Sequence, residues 1–339
     1  MNSRRQFLQI AFGAAGVAAL GGMRINGLSA GEGMEEARPA SKLKSFQRKS
    51  FALGAEISLT VLHENEFAAR RALDAAFGEL ETVESVMSIY RPESELSRLN
   101  RDGIITHPHP YLLSILRTSL EISRLSGGAF DVTVQPLWDL YMEAKKAKAL
   151  PEDSAIEAAR QKVGWKKIAL SDSEVRVEKG TRITLNGIAQ GYAADRCAEM
   201  LKSLGIEHAL LDTGEIRAIG DKSGTPWSAA IQHPRRPDAY VALARLDGVC
   251  LATSGDYATT FSNDFVYHHI FDPATGRSPL LYSSVSIVAP NATEADALTK
   301  VVFVGGETGL KQIAARGASA FLVAKDGKTF ATSDFPLAS

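Results

Sequence analysis

Four times along this chain, a run of apolar, strand- or helix-forming residues stops at a short polar turn that contains glycine. The turns are Gly127-Gly128-Ala129-Phe130-Asp131, Asn186-Gly187-Ile188-Ala189-Gln190-Gly191, Asp212-Thr213-Gly214-Glu215 and the longer segment 252–276. Regular elements must cover their apolar faces, whereas polar turns need solvent or a ligand. The pattern therefore points to a fold in which strands and helices deliver several polar turns to one crevice.

The stretches between the turns predict both kinds of element. Residues 56–63 alternate, with Ile57, Leu59 and Val61 on one face, as in a half-buried strand. Residues 66–87 repeat Phe67, Leu73, Phe77, Leu80 and Val83 at helical spacing, and Pro92 argues against helix just beyond. A short helical turn is expected over 94–100, and Pro110 opens a helix over 111–125 that Gly127-Gly128 stops. Residues 145–166 are charged and helical in pattern, with Pro151 opening a second part, a solvated excursion without chemistry. Strands are predicted at 174–177, 182–185, 208–211, 227–232, 239–246, 249–252 and 284–289, with Asp247-Gly248 as a hairpin turn. Helices are predicted at 189–204, from Thr293 to about 304, and at 308–315, before a closing hairpin over 320–331. The class is α+β, with mixed sheets and packed helices.

At 339 residues, with 38 basic and 39 acidic side chains, the chain carries no cationic stripe for nucleic acid. The N-terminus reads as an address. Ser3-Arg4-Arg5-Gln6-Phe7-Leu8 is a twin-arginine pattern, followed by an apolar run over 10–20 too short to span a bilayer and a small-residue ending at Leu28-Ser29-Ala30. Residues 1–30 are thus expected to be a signal peptide engaging the twin-arginine translocase, residues 31–45 a flexible tail and residues 46–335 the domain. The expected location is the periplasm, with no stable membrane anchor. Cys197 and Cys250 are expected to be reduced and buried, one in a helix and one in a strand.

His268 and His269, two of the seven histidines, lie in the densest polar turn. An imidazole exchanges a proton near neutral pH, and Asp272 stands three residues on from His269 to fix a tautomer or shape the loop. The strand–glycine turn–helix at 182–195 would leave free amides facing an anion, yet it is neither a dinucleotide fingerprint nor a Walker loop. The carboxylate and threonine after Gly127-Gly128 would serve either as a phosphate or adenine wall or as a capped turn.

Five motifs in order are similar to the ApbE family, flavin transferases that move FMN from FAD onto a threonine of a target protein. They are residues 94–100; Gly128-Ala129-Phe130-Asp131-x-Thr133-x-x-Pro136; Gly187-Ile188-Ala189-Gln190-Gly191-Tyr192 with Asp195; Thr253-Ser254-Gly255-Asp256-Tyr257 with His269-Ile270-x-Asp272-Pro273-x-Thr275-Gly276; and Ala295-Asp296-Ala297-Leu298. The resemblance implies a T-fold-like α+β architecture with FAD in a cleft between lobes and Mg2+ at its diphosphate. It further implies His269 for proton transfer, with Asp272 beside it. FAD would be bound by Met87, Ser88 and Tyr90 as a wall, by Ala129, Phe130 and Asp131, by Thr184, Gly187 and Gln190, by Thr253, Ser254 and Gly255, and by His269 and Lys300. The metal ligands would be the Gly187 carbonyl, Asp296 and Thr299. The implied acceptor is a threonine-bearing flavoprotein of an extracytoplasmic electron-transfer complex.

Departures from the family pattern qualify that picture. The family commonly reads Ala-Asp-Ala-x-x-Thr at the last motif, whereas Lys300 follows Asp296 here and Thr299 comes one position early. Gln190 stands where Lys or Glu is usual, Thr184 replaces an acid, and Thr213-Gly214-Glu215 replaces Gly-Gly-Asp. Either Lys300 points away and Thr299 or water completes the cation shell, or its ammonium takes over part of the cation's role. The alternatives to transfer are a non-transferring FAD-binding or carrier protein and an FAD diphosphate hydrolase.

Overall fold

The structure, a computed structural model, describes residues 42–338; the leader over 1–30 and the tail up to residue 41 lie outside the described residues. An eight-stranded antiparallel sheet runs through the molecule in the order β1-β2-β6-β7-β10-β11-β12-β13. Its strands are β1 (Lys44–Ala52), β2 (Ala55–His63), β6 (His208–Asp212), β7 (Ile216–Ile219), β10 (Cys250–Gly255), β11 (Tyr282–Ala289), β12 (Ser319–Ala324) and β13 (Thr329–Ala331). Side chains alternate between the two faces of a strand, and this sheet uses both. Ile57, Leu59 and Val61 of β2, Cys250 and Ala252 of β10 and Val285 and Ile287 of β11 enter the main core. Leu62, Leu251, Val288 and Phe321 face the opposite way, onto a second core under the hairpin of β8 (Trp227–His233) and β9 (Arg236–Leu246).

Helices cover the first face. α1 (Glu66–Met87) buries Leu73, Leu80, Val83 and Met87 on one stripe, while Phe67, expected on it, is 78% exposed in the first turn; the N-cap Asn65 accepts the Ala68 N–H. α2 (Glu95–Asp102) begins at Ser94, whose hydroxyl accepts the Ser97 N–H, so the short turn expected over 94–100 is a capped two-turn helix. α3 (Pro110–Leu125) follows as expected. Residues 145–166 divide near Pro151, as expected. α4 (Gln135–Lys146) starts at Pro136 within its first turn, α5 (Asp153–Arg160) is separate, and a 3-10 turn spans Trp165–Lys167. A small three-stranded sheet joins β3 (Ile104–Thr106), β5 (Glu174–Val177) and β4 (Ile168–Leu170).

Four further expectations are corrected. Residues 182–185 make only one isolated bridge, Val134 to Arg182: the Asn100 side chain takes both the N–H and the carbonyl of Ile183, and the Thr184 N–H goes to the Val132 carbonyl. Asp247-Gly248 does not close a hairpin, since β9 pairs with β8 while β10 pairs with β7 and β11. Alternation identifies strands but not their partners. The helix after β11, α7 (Ala292–Ala314), is capped by Asn291 rather than Thr293; Gly306, at φ 55° and ψ −127°, is not helical, so α7 is two helical segments that meet at the Gly305-Gly306 break the sequence predicts. Strand β1, where a tail was expected up to residue 45, begins at Lys44 and forms one edge of the large sheet.

The two central helices, α6 (Ala189–Ser203) and α7, pack closely. Asp195 on α6 accepts the N–H groups of Ala292 and Thr293 and pairs with Arg217, tying the N-terminus of α7 to its neighbour and to β7. Cys197 and Cys250 are both buried and reduced.

Candidate active site

A cleft, partly open to solvent, lies where the polar turns converge. Ala129, Phe130 and Asp131 line it, as do Thr184, Gly187 and Gln190 from the α6 approach and Thr253, Ser254 and Gly255 at the end of β10. His269 enters from the loop after β10, and Asp296 and Lys300 project one helical turn apart from α7. Segments more than a hundred residues apart in sequence thus share one wall.

The other expected residues lie elsewhere. Met87 is 2% exposed in the main core, because it continues the buried stripe of α1. Ser88 holds the chain reversal after α1, its hydroxyl accepting the Tyr90 N–H and its carbonyl accepting the Ser94 and Ser97 hydroxyls. Tyr90 reaches the rim through a hydrogen bond with Asn186, itself a cleft residue. Asp272 accepts from the Ala274 N–H (2.8 Å) and the Thr275 hydroxyl (3.0 Å), so it shapes the turn up to Arg277 and does not pair with the imidazole.

The group that orients His269 is the Thr259 carbonyl, 3.3 Å from Nδ1. That partner requires the proton on Nδ1 and leaves Nε2 as an acceptor. Trp138 meets the ring edge-on at 6.5 Å. Burial first, then the adjacent His268 and the Lys300 ammonium, hold the imidazole well below its ordinary 6.5, so it is neutral near pH 7.

His268 has a different task. It is fully buried, Nε2 lies 3.1 Å from the Pro279 carbonyl, and the ring packs edge-on against Phe303. Desolvation pushes it down to about 4. An unfolded-state imidazole near 6.5 takes up a proton that the folded state refuses until about pH 4, so stability is lost as pH falls through that window. The stability advantage of the wild type over His268→Gln should therefore shrink by about 2 kcal/mol between about pH 7 and pH 5. Denaturant titrations of both proteins check this; a constant difference would mean that the ring titrates normally.

Asp131 braces the wall. One oxygen accepts the Thr133 N–H and hydroxyl, the other accepts the Trp165 N–H at 2.8 Å, and Thr133 in turn accepts from Gly164. Glu215 was not foreseen as a site residue. It is 6% exposed in the cleft wall, accepts the Thr253 N–H at 3.0 Å, and is pushed well above the usual carboxylate range by burial and then by Asp296. Its signal was the polar turn at 212–215 between apolar strands. Trp138 and Asn186 were likewise missed.

The donors do not fit a divalent cation. Lys300 Nζ pairs with Asp296 Oδ1 and donates to the Asp296 carbonyl at 3.0 Å, while the Gly191 N–H binds Oδ2 at 3.2 Å. Thr299 is turned away, its hydroxyl shared between Ser254 Oγ and the Asp296 carbonyl. A Cβ on Gly187 would lie 3.1 Å from Lys300 Cε, so the lysine stem runs between the residues expected to hold magnesium. No group of three or more His, Cys, Asp or Glu side chains suited to a metal occurs among the described residues. Three of the turn amides expected to face an anion are engaged: those of Ile188 and Ala189 bond to the Leu185 carbonyl, and that of Gly191 to Asp296.

A sequence profile of the ApbE family matches residues 53–322. Relatives named FAD:protein FMN transferase include one from Vibrio cholerae, 33% identical over 274 residues covering 76% of this chain and 81% of the relative. Another, from Escherichia coli K12, is 30% identical over 271 residues covering 75% and 77%. The ApbE protein of Thermotoga maritima superposes with a TM-score of 0.78 at 28% identity, covering 86% of this chain and 97% of that one. The flavin transferase ApbE of Vibrio cholerae gives 0.76 at 26% identity, covering 86% and 98%.

Proposed function

The chain belongs to the ApbE family, and from this premise we propose that it transfers FMN from FAD to a threonine hydroxyl of an exported redox protein, releasing AMP. The observation that carries the reading is His269, held by Thr259 with Nε2 as the free acceptor, in the same cleft as Gly187, Asp296 and Lys300. A threonine hydroxyl is a weak nucleophile, and a neutral imidazole beside it supplies the missing base. The threonine Oγ forms a bond to the FMN phosphorus, the bond from that phosphorus to the bridging oxygen breaks, and the hydroxyl proton passes to His269. AMP departs with the bridging oxygen.

The twin-arginine pattern Ser3-Arg4-Arg5-Gln6-Phe7-Leu8 supports a periplasmic setting and an extracytoplasmic acceptor. No described helix is long and apolar enough to cross a membrane. The test is to mix the purified chain with FAD and a candidate threonine-bearing domain, then look for acid-stable flavin on the domain and stoichiometric AMP. Free FMN with AMP would replace transfer by hydrolysis, and unconverted bound FAD would replace it by a carrier role.

A further inference from the structure

Lys300 is the one lysine or arginine among the described residues that line the cleft. Its ammonium lies against Asp296, which is 1% exposed, and its stem passes the backbone of Gly187. A diphosphate brings negative charge into a wall that already holds the carboxyl groups of Asp296 and Asp131. Buried anions require a cation or several donors, and the amides of Ile188, Ala189 and Gly191 are bonded elsewhere. Taking the FAD reading above as its basis, we propose that the Lys300 ammonium fills the position of a divalent cation and binds the FAD diphosphate directly, so that FAD binding needs no added metal.

The geometry supports this over a lysine that merely folds away. Nζ makes two contacts to one residue, Asp296, and has a third hydrogen left to donate. The side chain is 19% exposed, so it is partly desolvated but open on the cleft side. A metal in the same place would sit against that ammonium and be repelled by it.

The test uses the full mature chain with three readouts. Mn2+ titrated into the protein without FAD and followed by electron paramagnetic resonance should show no tight one-to-one site. FAD affinity, followed by flavin fluorescence, should stay the same within a few-fold in excess EDTA and in Mg2+. Lys300→Met should lose about 10- to 100-fold in FAD affinity, the value of a charge-assisted hydrogen bond to phosphate, whereas Lys300→Arg keeps most of it. A one-to-one Mn2+ site, a tenfold loss of wild-type affinity in EDTA, or a Lys300→Met variant binding like wild type would each overturn the proposal. The Mn2+ and EDTA readouts use the wild type, so they hold even where a variant fails to fold. FAD binding without transfer would remove only the transferase reading. A chain binding no FAD in either condition would end both the FAD reading and this proposal.

Discussion

His269→Ala should slow flavin transfer by about 10²- to 10⁴-fold, the usual range for losing a positioned general base, while FAD affinity changes by no more than a few-fold. The imidazole is half-buried, and its side chain makes one hydrogen bond, to the Thr259 carbonyl, and one edge contact, to Trp138. Removing it thus costs the fold little, on the order of 1 kcal/mol. Single-turnover transfer with saturating FAD separates the two effects. Because burial holds the ring below 6.5, the acid limb of the wild-type kcat/KM profile should fall below the ordinary histidine range, and it should vanish in the variant. An alanine variant within a few-fold of wild type would take His269 out of the reaction. By contrast, Asp272→Asn should act through the turn up to Gly276, because that carboxylate does not touch the imidazole.

The second large effect is structural. Gly191→Ala should destabilise the protein by about 3 kcal/mol or more, the upper range of overpacking, and lower Tm by several degrees. A Cβ there would lie 2.1 Å from the Ala292 carbonyl oxygen and 2.9 Å from Asp296 Cβ. Neither neighbour is the far end of a flexible side chain, so α6 and α7 must move apart. The same movement breaks the Gly191 N–H bond to Asp296 and displaces the carboxylate that holds Lys300. FAD affinity should therefore fall together with stability, which differential scanning calorimetry and fluorescence titration measure on one sample. Unchanged stability would show that the interface yields where the packing says it cannot. Gly205→Ala is the contrast: no heavy atom lies within 4 Å of its added Cβ, and the cost there is that of a φ of +80° alone.

Local pattern was legible wherever one residue's neighbours decided its state. The stripe of α1 from Leu73 to Val83, the Pro110 start of α3 and the alternation of β2 all follow from periodicity and capping, and all stand in the structure. Pairing was not legible. The run at 239–246 reads as a strand, but nothing in it says that its partner is β8 and that β10 belongs to another sheet. Met87 shows the same gap at the site. It adjoins a turn that touches the rim, yet its place on the helical stripe sends the side chain into the core.

From its residues alone, the chain set which turns are polar, where glycine opens the backbone, and that Asp296 and Lys300 share one helix face four residues apart. Those are properties of neighbouring residues and of helical repeat. Only the tertiary structure decided that this face looks into the cleft, that Lys300 lies along Gly187, and that a carbonyl from residue 259 rather than Asp272 orients the imidazole. The reason is physical: close packing of α6 on α7 and of distant loops on each other sets side-chain directions to within an ångström, and such contacts leave no trace in sequence spacing.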